Sequence, residues 1–138
     1  MGDRVVYGPV GDATAKEVAH LLAQASWAWG RNLAGIEAML AATTYGVVAR
    51  DGDVLVGFAR ALTDGLYRAL IDDVVVDEAW RGRGVGQGLI RRLLAELRGV
   101  EQVRLACGPE LIPFYEALGF KLDPGTKMIL ASDTTSGP

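Results

Sequence analysis

The chain has 138 residues, half of them hydrophobic and 22% charged, with a formal net charge of -3 at pH 7. That is one domain's length of foldable chain, and the acidic balance argues against a general nucleic-acid binder, which carries a basic excess. One cysteine, Cys107, and one histidine, His20, exclude an internal disulfide and a Cys/His zinc site.

Unpaired Cys107 suits a reducing compartment. Residues 1–10 lack a basic segment followed by an apolar core. No apolar run approaches the ~20 residues that span a bilayer. The expectation is a cytoplasmic protein with no metal, no nucleic acid and no membrane partner.

Val5–Tyr7 predicts a first strand. Thr14 followed by Glu17 has the spacing of a capping box, and Val18, Leu21, Leu22 and Ala25 recur at helical spacing, predicting a helix over Thr14–Ala25. Residues 26–32 (SWAWGRN) break that pattern, and Leu33–Ala42 predicts a second helix. Tyr45–Arg50, Val54–Leu62 and Leu66–Val76 predict a strand meander, with turns at Asp51-Gly52-Asp53 and Thr63-Asp64-Gly65. Val74-Val75-Val76 is apolar on both faces, as in a central strand covered by helices.

After a polar, Gly-rich loop, Asp77–Gly88, the residues Val85, Leu89, Ile90, Leu93, Leu94 and Leu97 line one helix face, and Gly99 ends that helix. Gln102–Ala106 predicts a strand, Glu110–Leu118 a short helix, and Phe120–Leu122 with Lys127–Ala131 a final hairpin. Residues 1–131 read as a single domain and 132–138 as a frayed polar tail.

The stretch that carries chemistry is Arg81-Gly82-Arg83-Gly84-Val85-Gly86-Gln87-Gly88. It follows a strand and opens a helix, where free backbone N–H groups make an anion site. Glycines let the backbone approach a phosphate closely, and Arg81 and Arg83 supply charge for a diphosphate. The competing reading is that the glycines only permit tight helix–strand packing. A Walker A loop would need a Gly-Lys-Ser/Thr ending, and the loop has no lysine. The dinucleotide pattern G-x-G-x-x-G fails because Gln87 or Leu89 stands where its third glycine would be.

The loop resembles the acetyl-CoA signature of the GNAT superfamily of N-acetyltransferases: Arg or Gln, two residues, Gly, one residue, Gly or Ala. Arg81, Gly84 and Gly86 fill it. The preceding VVV strand, the helix GQGLIRRLLAEL and the later PFYEALGF extend the resemblance over about Tyr45–Leu130. Arg60, Ala61, Asp64, Asp73, Asp123 and Pro124 resemble the branch containing serotonin N-acetyltransferases and their bacterial relatives.

The resemblance implies an α/β (α+β) GNAT-like acyl-CoA N-acyltransferase fold. Its sheet would be mixed but mostly antiparallel, with about seven strands flanked by four helices. It implies acetyl transfer from acetyl-CoA to a primary amine by direct attack in a ternary complex, with dimerisation a family habit. A non-catalytic acyl-CoA-binding module of the same fold is the alternative.

Cofactor contacts are then expected from Arg81, Gly82, Arg83, Gly84, Val85, Gly86, Gln87 and Gly88. Val74, Val75 and Val76 would act through backbone: the Val74 N–H on the thioester carbonyl, Val76 paired to pantetheine. Tyr115 matches the family's general acid, against the plain reading of an aromatic on an inner helix face. A phenol suits protonation of a thiolate, their pKa values being close.

Asp72 and Asp73 are the candidate bases, Asp73 the preferred of the two, with a water chain as the alternative. In a regular strand they point to opposite faces, and a bulge would scramble that parity. Trp27 and Trp29 are candidates for the amine pocket or for plain core, with Tyr45 and Tyr67 behind them. His20 and Cys107 are given no catalytic role. Where many relatives carry Asn before the Tyr helix, this chain reads Cys107-Gly108-Pro109-Glu110.

Overall fold

Thr14 closes the first helix as the spacing predicts. Its hydroxyl accepts from the Glu17 N–H at 3.2 Å, and the Glu17 carboxylate accepts from the Thr14 N–H at 2.9 Å. The computed structural model describes residues 4–131, so the predicted tail at 132–138 lies outside the described residues. Helix α1 (Ala15–Leu22) buries Val18, Leu21 and Leu22, and α2 (Leu33–Ala42) is capped by the Asn32 side chain. A 3-10 turn, Ser26–Ala28, lies between them.

Strands β1 (Val5–Pro9), β2 (Tyr45–Asp51), β3 (Val54–Thr63), β4 (Arg68–Val76) and β5 (Gln102–Arg104) form one sheet in that spatial order. The first four pair antiparallel, and β5 joins β4 in parallel. Helix α3 (Val85–Glu96) follows β4.

The two sheet faces divide the helices. Val48, Phe58 and Val75, aligned across β2, β3 and β4, pack with α1 and with Ile36 of α2. Gly57, next to Phe58 and so on the opposite face, meets α3: a Cβ there would come within 2.9 Å of Leu89 and 3.0 Å of Val85. A side chain at position 57 would hold the helix off the sheet.

Arg50 donates to both Glu17 carboxylate oxygens, at 2.9 and 2.7 Å, and to the Asp12 carbonyl at 2.6 Å, joining β2 to the start of α1. The Arg50 hydrogen bond, then the Thr14 amide, lower the Glu17 pKa to about 2. A depressed folded pKa stabilises the fold above the unfolded value and loses that contribution as pH falls toward 2. Thr14→Ala is expected to cost about 1 kcal/mol, or roughly 3 °C in Tm, read by thermal unfolding at neutral pH.

From Gly108 the chain forms a second unit. A 3-10 turn, Pro109–Leu111, leads into α4 (Ile112–Glu116). Here the sequence expectation needs correction. The sheet has five strands among the described residues, not about seven, because residues 120–122 and 127–131 take no strand structure. Leu122, Met128, Ile129 and Leu130 are 69–92% exposed. An apolar run becomes a strand only where a neighbour supplies ladder hydrogen bonds.

Candidate active site

The turn before α3 is built from backbone. Gly82 and Gly84 have φ of 78° and 85°, the left-handed region that costs other residues about 1–2 kcal/mol. A Cβ on either would meet nothing within 4 Å, so conformation and not crowding calls for glycine there. The N-cap is Gly84, with no side-chain cap. The first helical bond of α3 runs from the Gly88 N–H to the Gly84 carbonyl at 3.0 Å. The N–H groups of Val85, Gly86 and Gln87 are thus outside the helical ladder at the positive end of the helix dipole.

Arg81 donates through Nε to the Val76 carbonyl at 3.2 Å, and the Arg83 guanidinium lies 4.8 Å from the Trp80 ring centre. Both arginines are exposed beside these amides. Backbone donors and cationic side chains of this kind are what a diphosphate requires.

Gly88 is set apart from these residues by its packing. Its N–H is committed to the helix, and a Cβ there would collide with the Tyr7 ring. At this one position the packing reading holds: Tyr7 of β1 crosses the helix at Gly88 with the Arg92 guanidinium 4.7 Å from its ring centre. Burial raises the Tyr7 pKa and Arg92 opposes it.

Strand β4 is open along one edge. Its ladder to β5 ends at Leu70↔Arg104, and β4 continues to Val76. Val74–Val76 therefore lie beyond the last β5 partner, next to the glycine turn.

A bulge lies in the same stretch. Phe58 pairs with Val75 but Arg60 with Asp72, so Ala59 alone faces Asp73 and Val74. Asp73 adopts φ 53°, and it is the one non-glycine among the described residues with positive φ. Regular alternation of the two aspartates is therefore lost. Arg60, the register partner of Asp72, pairs through its side chain with Asp73.

Asp73 is buried, its side chain 1% exposed. Oδ2 accepts from Arg60 Nε at 2.6 Å, and Arg31 reaches Oδ1 and Oδ2 at 3.1 Å each. Burial pushes the Asp73 pKa up, but the hydrogen bonds and charges of the two arginines outweigh it and hold the carboxyl below its ordinary range. A carboxylate so held is a poor proton acceptor. Asp72 is half-buried, and its Oδ1 accepts from the Asp73 N–H at 2.9 Å.

Trp27 and Trp29 are not core: they are 54% and 72% exposed. Arg31 lies 5.6 Å from the Trp27 ring centre, and Trp29 Nε1 donates to the Ala23 carbonyl at 3.3 Å. Trp29, Arg31, Leu22 and Ile36 line part of a hollow of about 260 Å³ between α1 and α2. Sequence reasoning gave Arg31 and Gln24 no role. Gln24 Nε2 donates to Asp77 Oδ2 at 3.1 Å, and its Oε1 accepts from the Glu78 N–H at 2.8 Å. These contacts span 42 and 53–54 positions, and no local pattern announces them.

In the second unit, Tyr115 is buried, 7% exposed, and is met edge-on by Phe114 at 4.8 Å and by Phe120 at 5.8 Å. His20 and Cys107 are exposed, Tyr67 is 60% exposed and Tyr45 is half-buried. Among the described residues no group of three or more His, Cys, Asp or Glu is arranged to hold a metal, and no helix is long and apolar enough to cross a membrane.

Residues 42–122 match the family model of an acetyltransferase (GNAT) domain. Serotonin N-acetyltransferase 2 from rice (Oryza sativa subsp. japonica), chloroplastic by name, is 44% identical over 71 residues, 50% of this chain and 36% of that protein. The chain therefore spans little more than a third of that relative's length. A GNAT family acetyltransferase from Streptococcus pneumoniae superposes with a TM-score of 0.81 at 25% identity, over 93% of this chain and 98% of the other. A Trypanosoma brucei acetyltransferase superposes with a TM-score of 0.73 at 27% identity, over 93% of this chain and 99% of the other.

Proposed function

Because the chain belongs to the GNAT family of acetyltransferases, we propose that it transfers the acetyl group of acetyl-CoA to a primary amine by direct attack in a ternary complex. The observation that carries this reading is the turn at Gly82–Gln87, where unbonded helix amides stand beside two arginines and next to an unpaired strand edge. Acetyl-CoA supplies a thioester activated for attack and a diphosphate by which it is held.

The diphosphate falls to the N–H groups of Val85, Gly86 and Gln87, to the Gly82–Gly84 backbone and to Arg81 and Arg83. The open edge of β4 offers Val74, Val75 and Val76 as backbone partners. The Val74 N–H is assigned to the carbonyl oxygen, where negative charge grows as the amine attacks. As the C–N bond forms and the C–S bond breaks, Tyr115 gives its phenolic proton to the departing sulfur. The amine must shed a proton to become neutral. Asp72, directly or through water, takes that role, since Asp73 is neutralised by two arginines.

Trp27 and Trp29 are assigned to the amine side, which suits an aromatic or aliphatic amine. The serotonin named for the rice relative is one such amine. We place the reaction in a reducing cytoplasm, on unpaired Cys107, and carry over dimerisation only as the family's habit, which a light-scattering mass equal to one chain would refute.

The test is direct. Purified protein with acetyl-CoA and a panel of amines should release free thiol, and acetyl-CoA should raise its Tm. Stabilisation with no acetylation of any amine would favour a binding module instead. No stabilisation by CoA would leave the glycines with packing alone.

A variant of the turn sharpens the test. Gly84→Val forces a branched side chain into left-handed backbone. It should weaken acetyl-CoA binding at least about tenfold, corresponding to the ~1.4 kcal/mol that such strain costs. Gly84→Asn, which tolerates that conformation, should bind better than the valine variant. Calorimetric titration reads both, and equal binding by all three proteins would remove the turn from the site.

A further inference from the structure

The segment Gln24–Arg31 is tied to β4 and its exit at both ends. At one end Gln24 holds the Asp77 carboxylate and the Glu78 amide. At the other, Arg31 holds Asp73. Between these ties the sheet side runs only from Asp73 to Asp77, four steps or ~13 Å of extended chain. The tied segment has seven steps, enough to reach ~23 Å. The slack is taken up by the 3-10 turn Ser26–Ala28, which buries Ala28 at 4% exposure and leaves Trp27 and Trp29 outward. The segment is thus a strap, pinned at both ends of the Val74–Val76 stretch, and it carries both tryptophans.

We propose that Asp73 is a positioning residue: seated in the β4 bulge and paired with Arg31 and Arg60, it fixes the Gln24–Arg31 strap and so sets how the acceptor amine is held, while taking no proton itself. The proposal rests on the acetyl-transfer reading for its substrate, but the strap is defined by this chain's own contacts. Asp73 reaches the strap through Arg31 and reaches the sheet through Arg60. Arg31 is also stacked near Trp27, so displacing Asp73 releases the side chain that orders the aromatic wall. Asp73 is suited to this task by the feature that unsuits it as a base, since both carboxylate oxygens are already occupied by guanidinium groups. The left-handed backbone at position 73, which Asp tolerates better than most residues, supplies the offset that turns the carboxylate toward both arginines.

Three variants of the full chain test this: Asp73→Asn, Arg31→Gln and Arg31→Lys. Amide hydrogen exchange is measured with no substrate present, and steady-state rates with acetyl-CoA and the best amine of the panel. Asp73→Asn and Arg31→Gln are expected to speed exchange in residues 25–31 about tenfold or more, and to raise the amine KM about tenfold. kcat should stay within about threefold, and the acid limb of its pH profile should not move. Arg31→Lys, which keeps the charge but not the fork, should recover part of the KM. Acetyl-CoA stabilisation should be the same in all. If Asp73→Asn instead abolishes kcat and its acid limb while exchange is unchanged, Asp73 is the base and the proposal is overturned. Exchange unchanged in both Asp73→Asn and Arg31→Gln also overturns it, because the strap then does not depend on the pair. Absence of transfer to any amine by the unmodified protein refutes the acetyl-transfer reading and with it the acceptor role, while the exchange measurement still decides whether Asp73 pins the strap.

Discussion

Tyr115→Phe is expected to slow acetyl transfer about 10²-fold or more, the lower end of what a positioned general acid contributes, while acetyl-CoA binding changes little. The two effects separate because the substitution removes one oxygen and keeps the ring. Phe at this position retains the edge-on contacts to Phe114 and Phe120 that bury the side chain. What is lost is the phenolic O–H to which the proposal assigns protonation of the departing sulfur. Thiol release at saturating substrates reads the rate, and thermal shift with acetyl-CoA reads the binding. Equal turnover by the two proteins would move the proton transfer to another group. A fall in binding that matches the fall in rate would make Tyr115 a cofactor contact.

The largest loss of stability is expected from Asp73→Ala. Asp73 and Arg60 have side chains 1% and 14% exposed, and Arg31 is 36% exposed. Removing one partner of a buried pair typically costs ~3–5 kcal/mol, because the remaining charge stays behind without compensation. Arg31 can swing into water, which puts the expectation near the low end, about 3 kcal/mol, or roughly 10 °C in Tm for a chain of this size. The pH dependence has a definite sign. The folded pKa of Asp73 is depressed, so its contribution is fully present above the unfolded value of about 3.9 and disappears as pH falls through the lower folded value. The Tm gap between the parent and Asp73→Ala should be constant from about pH 5 to 8 and close below pH 4. Thermal unfolding across that range checks it; a gap that widened in acid would contradict the ion-pair account.

Local chemistry wrote much of this fold into the sequence. The Thr14–Glu17 box, the glycine turn before Val85 and the periodic Leu and Ile of α3 are contained in windows of a few residues, and each stands where its pattern predicts. The acetyltransferase resemblance was legible for the same reason, since Arg81, Gly84 and Gly86 make one short backbone motif. Contacts between distant segments were not legible. Arg31 and Arg60 reach Asp73 across 42 and 13 positions, and only folding brings them together. The packing role of Gly88 was hidden because a glycine needed for room and one needed for φ look alike as letters; Tyr7, 81 positions earlier, tells them apart. The tryptophans were ambiguous because bulk suits a core and a pocket wall equally. The final hairpin failed because an apolar run such as Met128-Ile129-Leu130 carries no record of whether a neighbouring strand awaits it.

The short β4–β5 ladder carries a hazard of its own. Amides and carbonyls that can welcome a thioester carrier can equally welcome another polypeptide, which makes Val74–Val76 a place where misassembly could start. The three valines are bracketed by Asp72 before them and Asp77 after them, so an intruding strand in register meets anionic flanks. A slender carrier that enters from one side, drawn by its own phosphates toward Arg81 and Arg83, bypasses most of that repulsion. On the acetyl-CoA proposal, the acidic flanks would act as a sieve, admitting the small anion at the basic end and discouraging the extended chain along the rest.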